Sequence, residues 1–205
     1  MQPSARIILS VDGKDKSYFL WNGTEVYYKK LRYAYLDIIN DRNSEYLYFS
    51  FFTLCAATLE YSLNFTLTDF CLQEFGLEEY KQKAKDYIRL PLGVKLKQLT
   101  EIVSQGEFAM DETCCSYIAL LELITLRNRI LHNKEFLNEF DFSIVLEEEK
   151  REQVDFQIEV EPNYIETLTK DKCILFGKAL GEFKQYIMTP ALTHELKRNS
   201  MVKEI

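Results

Sequence analysis

From Tyr48 to Phe70 the chain is nearly all apolar and holds no glycine or proline. A segment without a polar stripe to turn toward water predicts a long helix buried at the centre of the fold. Ser44 is placed to cap its start, and Gly76, after Phe75, to end it. Two residues stand out within it. Glu60 and Asn64 lie one helical turn apart within it, where a charge or an amide needs a partner.

The remaining segments arrange themselves around that helix. Residues 5–28 read as β: Arg6 to Val11 and Ser17 to Trp21 flank Asp12-Gly13 as a hairpin, and Asn22-Gly23 turns the chain into Glu25 to Tyr28. From Lys29 the spacing of Leu31, Tyr35, Ile38 and Ile39 is helical, up to Asn43. Residues 78–90 and 93–104 predict two shorter helices broken at Pro91. Asp111 is placed to cap a third long helix from Glu112 to Phe136. Over residues 140–161 the period changes to two on either side of the charged run Glu147 to Glu152, which predicts an inserted hairpin. Asn163 is placed to cap a last long helix through Ile187, and residues 189–205 read as a polar, frayed tail. The expected fold is mainly α: a β segment over 1–28, a helical bundle over 29–188 carrying the 140–161 hairpin, and the tail.

Composition narrows the function classes. The 7 glycines and 4 prolines in 205 residues leave little material for long loops and favour long helices. A net charge of −7 has the wrong sign for a protein that coats nucleic acid nonspecifically, though it leaves room for a local basic site. The 5 cysteines show no C-x-x-C spacing and there are 2 histidines, so neither a zinc site nor any other metal or cofactor is expected. Cys114-Cys115 read as packing residues. No signal-peptide pattern opens the chain, and no apolar run approaches the roughly 18–20 residues of a membrane span. A reduced cytoplasmic protein is the expectation.

Chemistry concentrates at Arg127-Asn128-Arg129-Ile130-Leu131-His132. On a helix at about 100° per residue, with Arg127 at zero, Leu120 falls near about 20°, Leu131 near about 40° and Leu123 near about −40°. Arg127 therefore projects from the middle of an apolar arc, and Glu60 and Glu122 are candidate structural partners for its charge. Asn128 falls near about 100° and His132 near about 140°, at the edge of that arc. Arg and His of one chain are thus not aligned by spacing alone, and a two-fold dimer packed on the arc would pair each set with its copy.

These groups suit RNA cleavage without a metal. The reaction needs a base for the ribose 2′-OH, an acid for the departing 5′-oxygen and fixed positive charge at the phosphorane-like transition state. His132 titrates near neutrality and can act as base or acid. Arg127 keeps its charge when desolvated and can hold phosphate oxygens through two donors. Asn128 can orient either. Arg129, Lys134, Lys95 and Lys97 are candidates for an RNA-binding rim.

The string Leu126 to Asn133 resembles the R-x4-6-H signature of HEPN domains, with the polar residue that commonly follows the arginine. The stretches Ala56-Ala57-Thr58-Leu59-Glu60 and Leu92-Gly93-Val94-Lys95-Leu96-Lys97, and a helix after the motif, fit the same pattern, and the likeness covers residues 25–188. The resemblance implies an up-and-down helical bundle that forms a homodimer through its motif helices. It also implies a metal-independent endoribonuclease with Arg127 and His132 catalytic and Asn128 supporting, often in toxin–antitoxin or antiphage roles. A cognate antitoxin is a candidate partner; some members of that family are instead noncatalytic modules that dimerise or bind a nucleotide or a nucleotidyltransferase partner, which is the alternative reading.

Overall fold

A computed structural model describes residues 5–9, 17–40, 45–131, 167–187 and 201–204. Among them the element order is β1 (Ala5–Leu9), β2 (Ser17–Trp21), α1 (Thr24–Ile39), α2 (Glu45–Ile88), α3 (Leu92–Val103), β3 (Phe108–Met110), α4 (Cys115–Leu131), α5 (Lys170–Ile187) and β4 (Val202–Glu204). The protein is mainly helical, and no helix of the described residues is long and apolar enough to cross a membrane.

The apolar run forms the first arm of α2 and is the core of the molecule. Phe51, Phe52, Cys55, Leu59, Leu63 and Leu67 are fully buried along it. The hydroxyls of Thr53, Thr58, Thr66 and Thr68 donate to the carbonyls of Phe49, Leu54, Ser62 and Asn64, one turn back, so threonines enter this helix without orphaned polar atoms. Gly76 interrupts α2 at φ 70° and ψ −176°, a conformation only glycine adopts without strain. The second arm then folds back along the first, bringing Ile88 level with Asn64.

Helices α1, α3, α4 and α5 all pack on α2. Stacking of Tyr27 on Tyr61 at 4.6 Å and the tilted Tyr35–Phe51 pair set α1 antiparallel to it. Phe52 meets Phe176 of α5, and Gly177 admits the Tyr35 ring so closely that a Cβ there would lie 2.6 Å from it. Antiparallel α4 and α5 are tied at two points, Ser116 donating to the Glu182 carboxylate and Lys172 pairing with Glu122 at 3.1 Å.

Several expectations are corrected. Residues 25–28 are the opening turns of α1, not a strand. The Asn22 side chain accepts from the Thr24 N–H, the Gly23 carbonyl accepts from Val26 and Tyr27, and the Gly23 N–H donates to the Tyr61 hydroxyl, which docks the turn as a helix start. The helix expected from Glu112 begins at Cys115, because Asp111 spends its carboxylate on a turn with the Thr113 N–H and hydroxyl. The last helix begins at Lys170, with the Thr169 hydroxyl accepting from the Lys172 N–H. Part of the supposedly frayed tail is docked: β4 pairs antiparallel with β3, Met201 is fully buried, and its carbonyl accepts from the Asp111 N–H at 2.8 Å. Strands β1 and β2 pair antiparallel from Ala5↔Trp21 to Leu9↔Ser17. The Asp12-Gly13 turn, Ser44, the 140–161 hairpin and Asn163 lie outside the described residues.

Candidate active site

Helix α4 reaches Arg127 after three turns of buried apolar side chains. Tyr117, Leu120, Leu123 and Ile124 are packed into the protomer's own core with α5 and α2. This corrects one expectation: the apolar arc of the motif helix is already covered within one chain, so it is not the surface on which a second copy would pack. The exposed side of α4 carries Ile118, Thr125, Asn128 and Arg129 instead.

Arg127 sits at the edge of the buried face. Its Nη2 donates to Glu60 Oε2 at 2.9 Å, with the arginine side chain 21% and the glutamate 39% exposed. Its Nη1 donates to Asn128 Oδ1 at 3.2 Å. A guanidinium has five N–H donors, so donors remain for a further acceptor while the fork is held in place by two others. Glu122, the other candidate partner, is turned away to Lys172 of α5. The difference lies in which helix covers each face: Glu60 comes from α2 across the bundle, and no arithmetic on α4 alone distinguishes the two carboxylates.

Beside this pair stands a second cation. Lys95 of α3 is 3% exposed, and its ammonium donates to Asn64 Oδ1 at 2.7 Å and to the Ile88 carbonyl at 3.0 Å. Burial pushes it below the usual lysine range; the Glu60 carboxylate opposes that shift, and the Arg127 charge adds to it. Glu60, Asn64, Lys95 and Arg127 thus form one polar cluster drawn from α2, α3 and α4. Lys95 is an internal strut and not the rim residue its charge suggests. Lys97 does lie at the surface, paired with Glu112 at 2.9 Å.

The buried role of Lys95 had a readable signal. The face of α3 runs Leu92, Leu96, Leu99, Val103 at helical spacing, and Lys95 interrupts it as Arg127 interrupts α4. Asn128 and Arg129 are exposed next to Arg127. His132 and Lys134 follow Leu131 in the sequence and lie outside the described residues. Of the cysteines, Cys55, Cys71 and Cys173 are buried, and burial pushes the Cys173 thiol up to about 11, which suits packing and not nucleophilic chemistry. Cys115, expected in the packing, is exposed at the first turn of α4, and Cys114 is half-buried.

The chemistry available here is that of a fixed, oriented cation with spare donors beside an amide, at the edge of a desolvated core. It can hold an anionic oxygen in a set direction. Compared with protein-family models, with curated proteins and with solved structures, the chain matches none.

Proposed function

We propose that the protein is a metal-independent endoribonuclease of HEPN type. Its five described helices would then be the up-and-down bundle of that family, and two copies would meet along the exposed side of α4. The observation that carries the reading is the half-buried Arg127, aimed by Glu60 and Asn128 with donors to spare, five residues before His132 in the sequence. In the reaction, a histidine takes the proton of a ribose 2′-OH and the 2′-oxygen attacks the adjacent phosphorus. The bond from phosphorus to the 5′-oxygen breaks, and a second histidine, supplied by the other copy, protonates the leaving oxygen. Arg127 binds the non-bridging oxygens as charge accumulates on them. A toxin or antiphage role, with a cognate antitoxin, belongs to the same proposal.

One observation favours a second reading, a noncatalytic interaction module bound to a nucleotidyltransferase or nucleotide. The Glu60 ion pair already gives Arg127 a structural partner. The two readings separate on incubation of the purified protein with total RNA and defined tRNAs in EDTA. Endoribonuclease activity yields discrete fragments ending in 2′,3′-cyclic phosphate and 5′-OH. Intact RNA, or fragments ending in 3′-OH, would contradict it.

A further inference from the structure

The fold-back of α2 at Gly76 leaves a shallow groove of about 340 Å³, lined by Thr68 on the first arm and by Tyr80, Lys81, Ala84, Lys85 and Ile88 on the second. The second-arm residues recur at helical spacing and form one stripe. Its floor is apolar: Ala84 is buried, Ile88 is 39% exposed and the Tyr80 ring is half-buried. Its charge comes from Lys81 and Lys85, both exposed and one turn apart. Among the described residues neither ammonium is ion-paired; Lys81 Nζ lies 6.0 Å from the centroid of the Tyr80 ring.

Hydrogen bonds link the walls of the groove to the Arg127 cluster. Lys95 bridges the Ile88 carbonyl and Asn64, the Thr68 hydroxyl donates to the Asn64 carbonyl at 2.8 Å, and Asn64 lies one turn from Glu60. From Glu60 to Thr68 the helix rises about 12 Å, a distance a short strand spans. An aromatic and apolar floor beside two cations that are not ion-paired among the described residues is the arrangement that takes bases on one side and phosphates on the other. In a chain of net charge −7, two lysines without an ion pair among the described residues are also where an incoming strand is attracted.

We propose that this groove binds the single-stranded RNA that flanks the scissile phosphate, leading it from Tyr80 toward Arg127. The proposal rests on the endoribonuclease reading of the Arg127 site. Bases lie against Tyr80 and Ile88, and phosphates meet Lys81 and Lys85. The strand direction then sets which side of the cut depends on the groove.

The test is binding of a labelled single-stranded RNA oligonucleotide to the full chain carrying His132→Ala, which leaves the RNA intact, across a salt series. Adding Lys81→Gln and Lys85→Gln together is expected to reduce the slope of log affinity against log salt by about 1.4, at about 0.7 per phosphate contact. Adding Tyr80→Leu is expected to weaken binding by between about 5-fold and 150-fold with the slope unchanged. An affinity and slope that none of these substitutions alter would overturn the proposal, as would stronger binding of an acidic peptide than of RNA. The two readings fail separately. Cleavage in EDTA with a kcat/KM indifferent to the lysine substitutions retains the nuclease and overturns the groove. Lysine-dependent RNA binding without cleavage by the unsubstituted protein retains the groove and overturns the nuclease.

Discussion

Arg127→Ala is expected to lower RNA cleavage by about 10²–10³-fold, the usual cost of removing a donor aimed at developing transition-state charge. His132→Ala should cost about 10²–10⁴-fold, as loss of a general acid or base does. For Arg127, folding is not the reason. The Arg127–Glu60 pair is partly exposed, at 21% and 39%, so its loss removes far less stability than a core truncation does. Arg127→Lys should fail to restore activity, because an ammonium is a point charge and cannot hold Glu60, Asn128 and a phosphate in one fixed fork. Single-turnover cleavage of a defined tRNA in EDTA, with thermal melts of each variant, reads both quantities. Undiminished cleavage by the Arg127→Ala variant would remove the arginine from the mechanism.

The second large effect lies in the core. Phe52→Ala should destabilise the protein by about 3–5 kcal/mol. Phe52 is fully buried on the first arm of α2, and its ring meets that of the equally buried Phe176 of α5 at 6.4 Å and 51°. Removing it takes away both the transfer of a large apolar group and the contact between the central helix and α5. For a chain of this size each kcal/mol moves the melting temperature by about 2–4 °C, so a drop of order 10 °C is expected in a thermal melt. A loss under about 1 kcal/mol would mean that α2 is not the central element.

How much of this was legible follows from where each signal resides. The first arm of α2 could be read because its apolar character is continuous, and its break at Gly76 because glycine alone suits the backbone there. Arg127 stood out because a charge in an apolar arc must have a partner. Lys95 satisfies the same criterion on α3, and applying it there identifies a buried cation in place of a rim residue. Other features depend on contacts distant in sequence. Val26, Tyr27 and Tyr28 suit a strand as well as a helix, and the Tyr61 hydroxyl and ring on α2 help decide for the helix. Strands β3 and β4 are three residues each and exist through one another, across nearly a hundred positions of chain. The Lys81–Lys85 groove needs the fold-back of α2 before its two walls exist at all.

The central claim is that the Arg127 site cleaves RNA through the ribose 2′-OH, and one substrate tests it directly. A defined RNA, cut by the purified protein in EDTA and mapped to its cleavage position, is resynthesised with a single 2′-deoxynucleotide on the 5′ side of that bond. The account predicts that cleavage at the substituted bond stops, while cuts at unmodified sites continue and end in 2′,3′-cyclic phosphate. Continued cleavage at the deoxy position, leaving a 3′-OH, would contradict it.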